Sequence, residues 1–141
     1  MTDPAAAPFA GPIAAPIAGP VMAFFDALET GKGWEVCRQW CAPDATFSCQ
    51  AKSLDEVKTL EGYAEWMKAL CIAIPDAHYD LKHHAVTEDG ATVLAFAVFL
   101  GTAKGKDGAP APIAADYVYA METEAGRIRH VTKIWNDRRG S

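Results

Sequence analysis

The sequence predicts an α+β fold in which helices come first along the chain and an antiparallel sheet follows. In the first half, apolar residues recur at helical spacing, as in VMAFFDALE. After Pro75 the pattern changes to runs of β-branched and aromatic residues separated by turn residues, which is typical of consecutive antiparallel strands. We therefore expect helices packed on one face of a curved sheet.

An Ala/Pro-rich extension occupies residues 1–19, in which proline recurs at every fourth position from Pro4 onward. Proline lacks the amide donor that a helix interior needs, so this segment is expected to be extended or unstructured. A helix should begin at Pro20, because proline suits a first helical turn. The predicted organisation is an extension over 1–19, one domain over 20–138 and a tail over 139–141.

Three helices are predicted before the sheet. The first ends at Gly31, the second is a short helix in WEVCRQW, and the third spans residues 53–74. The third begins with a potential capping box formed by Ser53 and Glu56. A short strand, ATFSCQ, precedes it.

Two hairpins are predicted in the second half. The first turns at Glu88–Gly90, and the second turns at Thr123–Gly126 near the end of the chain. If Glu122 faces Arg127 across the second turn, the four strands after Pro75 form a meander with a defined register.

That register places Asp116 opposite Lys133 on a strand face that is otherwise small and apolar. Burying two such charges costs several kcal/mol, and their pairing offsets only part of the cost. A pair retained there is therefore a candidate functional site with tuned pKa values. The alternative is a cross-strand salt bridge on the solvent side of the sheet.

Composition excludes several function classes. The formal net charge of -5 argues against nucleic acid as a partner. The apolar run Val93–Leu100 is too short to span a bilayer, and the N-terminal residues lack the basic start of a secretory leader. The four cysteines show no metal-site spacing, so we expect free thiols in a cytoplasmic protein with neither metal nor cofactor.

Four stretches resemble the nuclear transport factor 2-like superfamily. FFDALETGK resembles its first helix, CAPDATFSC the turn into its first strand, GTAKG a strand end before a loop, and GRIRHVTKIWND its closing strand. Within the superfamily the chain is most similar to the SnoaL-like polyketide cyclase and ketosteroid isomerase-like branches. The resemblance implies a cone-shaped barrel: a curved, mainly antiparallel sheet with three N-terminal helices packed on its concave face. It also implies one deep pocket and a homodimer formed through the outer face of the sheet.

The resemblance also implies positions for site residues. Asp116 matches the protonated, hydrogen-bond-donating aspartate of the ketosteroid isomerases. Cys49 occupies the position of their general base and Phe24 that of their oxyanion tyrosine, so two of the three isomerase groups are missing. In the polyketide cyclases the catalytic aspartate of the last strand corresponds to Asn136 or Asp137.

These observations predict an acid/base role for Asp116, with Lys133 orienting it or stabilising an enolate. The expected function is binding of a small, largely apolar molecule, with proton-transfer chemistry of the cyclase, isomerase or dehydratase type. The alternative is a non-catalytic ligand-binding or protein-interaction module in which the Asp116–Lys133 pair is structural. The predicted pocket walls are Trp34, Phe24, Cys49, Tyr63, Val118, Val131 and Trp135.

Histidines and tyrosines are expected on both faces of the sheet. His83 and His84 are adjacent on one strand, so one of them is expected to face the pocket. His130 is expected on the outer face together with Tyr117 and Tyr119, where the three would form a dimer surface.

Overall fold

Three helices and a five-stranded sheet make up residues 14–136, the part of the chain that the computed structural model describes. The helices are α1 (Ala14–Glu29), α2 (Trp34–Cys37) and α3 (Leu60–Ala73). The strands are β1 (Cys41–Cys49), β2 (His78–Val86), β3 (Thr92–Lys104), β4 (Pro110–Glu124) and β5 (Arg127–Trp135). Short 3-10 turns cover Arg38–Trp40 and Lys52–Leu54. The predicted α+β class is confirmed.

The strands lie in the order β1-β5-β4-β3-β2. Strands β2 to β5 form the predicted antiparallel meander, and β1 adds to β5 in parallel. The helices cover the inner face of this sheet, where the aromatic residues of β4 are buried. The arrangement is the predicted cone, with its interior between the helices and the sheet.

Helix α1 begins earlier than the sequence pattern indicated. It starts at Ala14, and Pro20 lies inside it, so the prediction that residues 14–19 are extended is wrong. A proline in a helix removes one amide donor, but burial of an apolar face stabilises the helix. Phe24, Phe25 and Leu28 provide that face, and each is at most 1% exposed. The rest of the predicted extension, residues 1–13, lies outside the described part of the chain.

Helix α3 is capped by a different residue from the one predicted. The Thr59 hydroxyl oxygen accepts a 3.0 Å hydrogen bond from the Gly62 amide, which satisfies one of the free donors of the first turn. The predicted capping box of Ser53 and Glu56 is wrong, because these residues lie in and just after a 3-10 turn that precedes the helix.

The β4–β5 hairpin turns at Ala125 and Gly126, which both have left-handed backbone angles (φ 54° and 78°). Two such residues form a tight two-residue turn, so the strands pair from Glu124 and Arg127 onward. An irregularity after Glu122 then shifts the register further. The predicted four-residue turn is therefore wrong.

This register brings Tyr119 opposite Lys133, so the prediction that Asp116 faces Lys133 is wrong. Tyr117, Tyr119 and Met121 are at most 2% exposed, which shows that they point into the cone. Alternation then puts Asp116 on the outer face of the sheet. The predicted orientation of β4 was reversed, whereas that of β5, with Lys133 inward, is correct.

The four cysteines, Cys37, Cys41, Cys49 and Cys71, are free thiols. Within residues 14–136, no three His, Cys, Asp or Glu side chains are arranged to hold a metal ion. No helix in this range is long and apolar enough to cross a membrane.

Candidate active site

Two oppositely charged side chains are buried inside the cone. Glu29, the last residue of α1, is 2% exposed, and Lys133 of β5 is 5% exposed. Glu29 follows Phe25 by one helical turn, so it continues the apolar stripe of α1 into the interior. Lys133 alternates with the outward-facing Thr132 and Ile134 along β5. Burial of both charges makes this the candidate site.

Two tyrosines of β4 hold the Glu29 carboxylate. The Tyr117 hydroxyl donates to Oε1 at 2.6 Å, and the Tyr119 hydroxyl donates to Oε2 at 2.5 Å. Each carboxylate oxygen therefore has one strong donor inside the protein, and each has a second lone pair left to accept another proton.

A tyrosine relay connects Lys133 to Glu29. The Lys133 Nζ donates to the Tyr63 hydroxyl oxygen at 2.8 Å, and the hydroxyls of Tyr63 and Tyr119 are hydrogen bonded to each other. Because Tyr119 gives its only proton to Glu29, Tyr63 must donate to Tyr119. The relay therefore runs Lys133, Tyr63, Tyr119, Glu29, and every bond points the same way.

Glu29 and Lys133 interact through this relay without touching. The ion pairs that the structure gives for residues 14–136 lie at the surface, and none joins these two residues. Burial raises the pKa of Glu29, while the nearby Lys133 and the two tyrosine hydrogen bonds oppose the rise. Burial likewise lowers the pKa of Lys133, opposed by Glu29 and Cys49. Both shifts favour the uncharged form of each residue.

The hydroxyls between them stay protonated across the physiological range. Burial and the nearby Glu29 raise the pKa of Tyr63 and Tyr119 well above the usual value. A phenol that keeps its proton acts as donor and acceptor at once, which a relay requires.

Aromatic rings surround the Lys133 ammonium. Its nitrogen lies 4.6 Å from the ring centroid of Trp135, 5.1 Å from that of Tyr63 and 5.9 Å from that of Trp66. Such contacts stabilise a cation, so they partly offset its loss of hydration.

Beside these groups lies a cavity of about 140 Å³. Glu29 and Lys133 both line it, and most of its wall is apolar. An apolar cavity of about 150 Å³ is enough to hold benzene. The cavity therefore has room for about one ring, with an acid and an amine at its wall. Its principal apolar walls are Leu54, Trp66, Met67, Leu70, Phe99 and Trp135.

Several predicted site residues lie in or next to this site. Lys133 and Trp135 line the cavity as expected, and Tyr63 belongs to the relay. Cys49 is the register neighbour of Lys133 across the parallel β1–β5 pair. Its sulfur accepts a hydrogen bond from the Ala51 amide at 3.4 Å.

Other predicted site residues lie elsewhere. Asp116 and Val118 are on the outer face of β4, because the register differs from the predicted one. Phe24 and Val131 are fully buried in the hydrophobic core and do not line the cavity. Trp34 lines a separate surface groove.

The histidine prediction is corrected as well. His83 and His84 are both exposed, so neither faces the cavity, and the His83 ring stacks on Phe96 at 6.4 Å. The register shift after Leu81 changes the alternation along β2. His130 lies on the outer face as expected, where it contacts Thr46, but Tyr117 and Tyr119 do not accompany it.

Glu29 is the residue that the sequence analysis missed. Its signal was present: a carboxylate one turn after Phe25, on a helix face that is otherwise apolar. The relay was missed for another reason, since Tyr117 and Tyr119 were assigned to the wrong face of β4. Asp137, the other carboxylate considered, lies outside the described residues.

Comparison with known proteins decides the family. The family model described as a SnoaL-like domain matches residues 21–131. The chain belongs to the SnoaL-like domain family. This confirms the resemblance seen in the sequence, and it places Glu29, Tyr63, Tyr117 and Tyr119 within the matched SnoaL-like region.

Solved structures share the fold of this SnoaL-like protein. A candidate SnoaL-like polyketide cyclase from Jannaschia sp. CCS1 is 17% identical, with a TM-score of 0.72 over 98% of this chain and 93% of that one. IdmH, a candidate polyketide cyclase from Streptomyces antibioticus, is 19% identical, with a TM-score of 0.72 over 88% and 94%. The phenazine biosynthesis-related protein PhzB2 from Pseudomonas aeruginosa is 10% identical, with a TM-score of 0.68 over 90% and 83%. No curated protein sequence matches the chain.

Proposed function

We propose that this SnoaL-like protein binds a small, largely apolar carbonyl compound in its cavity and catalyses proton transfer on it. The reaction is of the cyclase, isomerase or dehydratase type. The observation that carries the proposal is that Glu29 and Lys133, both buried, line the same largely apolar cavity. These two residues replace the Asp116–Lys133 pair as the proposed acid/base set.

In the proposed reaction, Glu29 removes a proton from the carbon next to the carbonyl group. The C–H electron pair moves toward the carbonyl oxygen, and the Lys133 ammonium stabilises the resulting enolate. Return of the proton to another carbon gives isomerisation. Attack of the enolate carbon on a second carbonyl gives cyclisation, and departure of a β-hydroxyl gives dehydration.

The environment of Glu29 suits this role. Burial raises its pKa, and a general base works best when its pKa approaches the working pH. Tyr117 and Tyr119 hold the two oxygens in place while leaving each able to accept another proton. The base is therefore fixed in position before a ligand arrives.

The size of the cavity and the similar structures support the substrate class. About 140 Å³ fits a single ring, which favours a monocyclic or short ligand. Two of the similar structures are candidate polyketide cyclases, and a polyketide by definition carries ketone carbonyls.

The test is exchange of the protons next to the carbonyl group of cyclohexanone in heavy water, followed by NMR. Glu29→Gln preserves shape and removes the base, so the catalysed rate should fall by about 10²–10⁴-fold. Glu56→Gln, an exposed change of the same kind, is the matched control and should leave the rate unchanged. If the wild type exchanges no faster than Glu29→Gln, the catalytic proposal is wrong.

A second candidate is a non-catalytic ligand-binding module. Both oxygens of the Glu29 carboxylate accept a hydrogen bond from a tyrosine. A buried network with a purely structural role would need the same hydrogen bonds, so this observation favours the second candidate. In that case cyclohexanone binds without exchange of its protons, and Glu29→Gln changes only the stability.

We also propose that two copies of this chain pair through the outer face of the sheet. Leu94, Phe96 and Ile134 are 40%, 36% and 52% exposed on this face, an unusual concentration of large apolar side chains. Sedimentation should give a dimer for the wild type and a monomer for Phe96→Glu. A monomeric wild type would overturn this assembly.

Two further assignments are proposals of the same kind. A cytoplasmic location is supported by the four free cysteines, since thiols stay reduced there. The predicted domain over residues 20–138 is proposed with its start moved to Ala14, where α1 begins, and the family match over 21–131 supports it.

A further inference from the structure

We propose that Lys133 is a nucleophile as well as a charge: its amine forms a covalent imine with a carbonyl compound held in the cavity. The geometry points to this because Lys133 lines the cavity and also begins a relay that ends at a buried proton acceptor. The inference rests on the proposed binding of carbonyl compounds and goes beyond proton transfer.

Imine formation needs a neutral amine, because an ammonium group has no free electron pair. The relay provides a route for the proton. Lys133 passes a proton to Tyr63, Tyr63 passes its own to Tyr119, and Tyr119 passes its own to Glu29. Each hydroxyl gives one proton and receives one, so the result is a neutral Lys133 and a protonated Glu29.

Groups on several elements influence the charge state of Lys133. The charge of Glu29 on α1 favours the ammonium form of Lys133, and Cys49 on β1 acts more weakly in the same direction. The ring of Trp135 does the same through its face. Burial acts against the ammonium and is the largest influence on the pKa of Lys133.

Burial also dominates at Glu29, where it raises the pKa. The shifts at the two ends of the relay therefore both favour transfer of the proton from Lys133 to Glu29. Among the residues whose side chains are described, these are the two buried charged groups, so the proton has one acceptor within the interior.

The chemistry balances without an added reagent. The lone pair of the neutral amine attacks the carbonyl carbon and forms a C–N bond, and a proton moves from the nitrogen to the carbonyl oxygen, which becomes a hydroxyl. The proton stored on Glu29, which lines the same cavity, passes to that hydroxyl; the C–O bond breaks, water leaves, and the nitrogen lone pair forms the C=N bond. The sum is an ammonium group plus a ketone giving a protonated imine plus water.

A protonated imine also serves the proposed proton transfer. It withdraws electrons from the neighbouring carbon more strongly than a hydrogen bond to a carbonyl oxygen does. Glu29, once deprotonated again, lines the same cavity and is placed to remove the proton from that carbon.

The test is reductive trapping on the intact protein. Wild-type protein is incubated near neutral pH with cyclohexanone and sodium cyanoborohydride, which reduces protonated imines, and is then digested for mass spectrometry. The peptide with Lys133 should gain one cyclohexyl group at least about tenfold faster than any other lysine peptide. Lys82, which is 43% exposed, is the internal comparison. This measurement needs no variant, so it does not depend on how a mutant folds.

Three variants test the chemistry. Lys133→Met should remove the fast-labelled site. Tyr119→Phe and Tyr117→Phe each remove one donor to Glu29, but only the first cuts the relay. Tyr119→Phe should therefore slow labelling by about tenfold or more, and Tyr117→Phe should slow it less. Equal effects would show that the relay does not carry the proton.

The outcomes separate this inference from the proposed function. Binding and proton exchange without an adduct at Lys133 would overturn the imine and leave the proton-transfer proposal intact. Labelling of Lys133 no faster than of Lys82 would also overturn it. If cyclohexanone neither binds, by thermal shift, nor labels Lys133, both proposals fail for single-ring ketones.

Discussion

The Lys133 ammonium donates a 2.8 Å hydrogen bond to the hydroxyl of Tyr63, a neutral group, although the lysine is buried. A buried lysine is usually expected to contact a carboxylate directly, because desolvation is costly. Here the carboxylate is reached through two hydroxyls. A proton can therefore lie at either end of the relay, and the two charges can be removed without moving a side chain.

The first prediction concerns stability and pH. Glu29 has a pKa raised above 4.5 by burial, so the folded protein holds its proton to a higher pH than the unfolded chain does. The folded state then binds more protons, and its stability falls as pH rises above about 4.5. Urea unfolding should show the wild type losing stability relative to Glu29→Gln as the pH rises above about 4.5.

Lys133 does not reverse this trend in the comparison. In Glu29→Gln, Lys133 no longer has a nearby carboxylate to stabilise its ammonium form, so the pKa of Lys133 falls further. The unfolded chain then binds more protons than the folded variant, so the variant gains stability as pH rises. A wild type that gains stability relative to Glu29→Gln over this range would contradict the assignment of a raised pKa to Glu29.

The second prediction separates the two carboxylates. Asp116→Asn should change the rate of cyclohexanone proton exchange by less than about twofold, because Asp116 lies on the outer face of β4. Glu29→Gln, measured in parallel, should remove most of the activity. A large loss in Asp116→Asn alone would show that the outer face carries the chemistry.

Much of the fold was predictable because local signals were strong. The apolar spacing in VMAFFDALE predicted the first helix, and the alternation in β5 predicted that Lys133 faces inward, whereas Phe24 was expected in the pocket wall and lies in the core. The prediction that failed was the register of β4 against β5. One tight turn at Ala125 and Gly126 and one bulge decided which face of β4 points inward, and neither has a clear signal at the level of residue type.

The candidate site was harder to predict than the fold for a related reason. Glu29, Tyr63 and Tyr119 come from three elements that are distant in sequence, and they meet only when the sheet and helices pack. A single reversed strand removed both Tyr117 and Tyr119 from consideration. Lys133 was found because its burial depends on β5 alone, where the alternation is regular.

The third prediction concerns the cysteines. Burial raises the pKa of the Cys37 and Cys41 thiols to about 12, so almost none of either is thiolate near neutral pH. Cys49 and Cys71 are partly exposed. Iodoacetamide followed by peptide mapping should modify Cys49 and Cys71 in the folded protein and leave the other two intact. All four should react in urea, and early labelling of Cys37 in the folded state would contradict the structure.

The fourth prediction tests the cap of α3. Thr59→Ala removes the acceptor for the Gly62 amide and should cost about 1 kcal/mol in the free energy of unfolding. Ser53→Ala is the matched control, and it should change stability by less than about 0.5 kcal/mol. A greater loss at Ser53 would instead support the capping box predicted from the sequence.

The last prediction locates the ligand. Leu70 of α3 lines the cavity, and Ile72, two residues further along the same helix, is 72% exposed. Leu70→Trp adds an indole to a space of about 140 Å³ without touching the relay, so it should weaken cyclohexanone binding by about tenfold or more. Ile72→Trp makes a comparable change outside the cavity and should leave the dissociation constant unchanged. NMR titration measures both, and equal weakening would show that the ligand does not bind in the cavity beside Glu29 and Lys133.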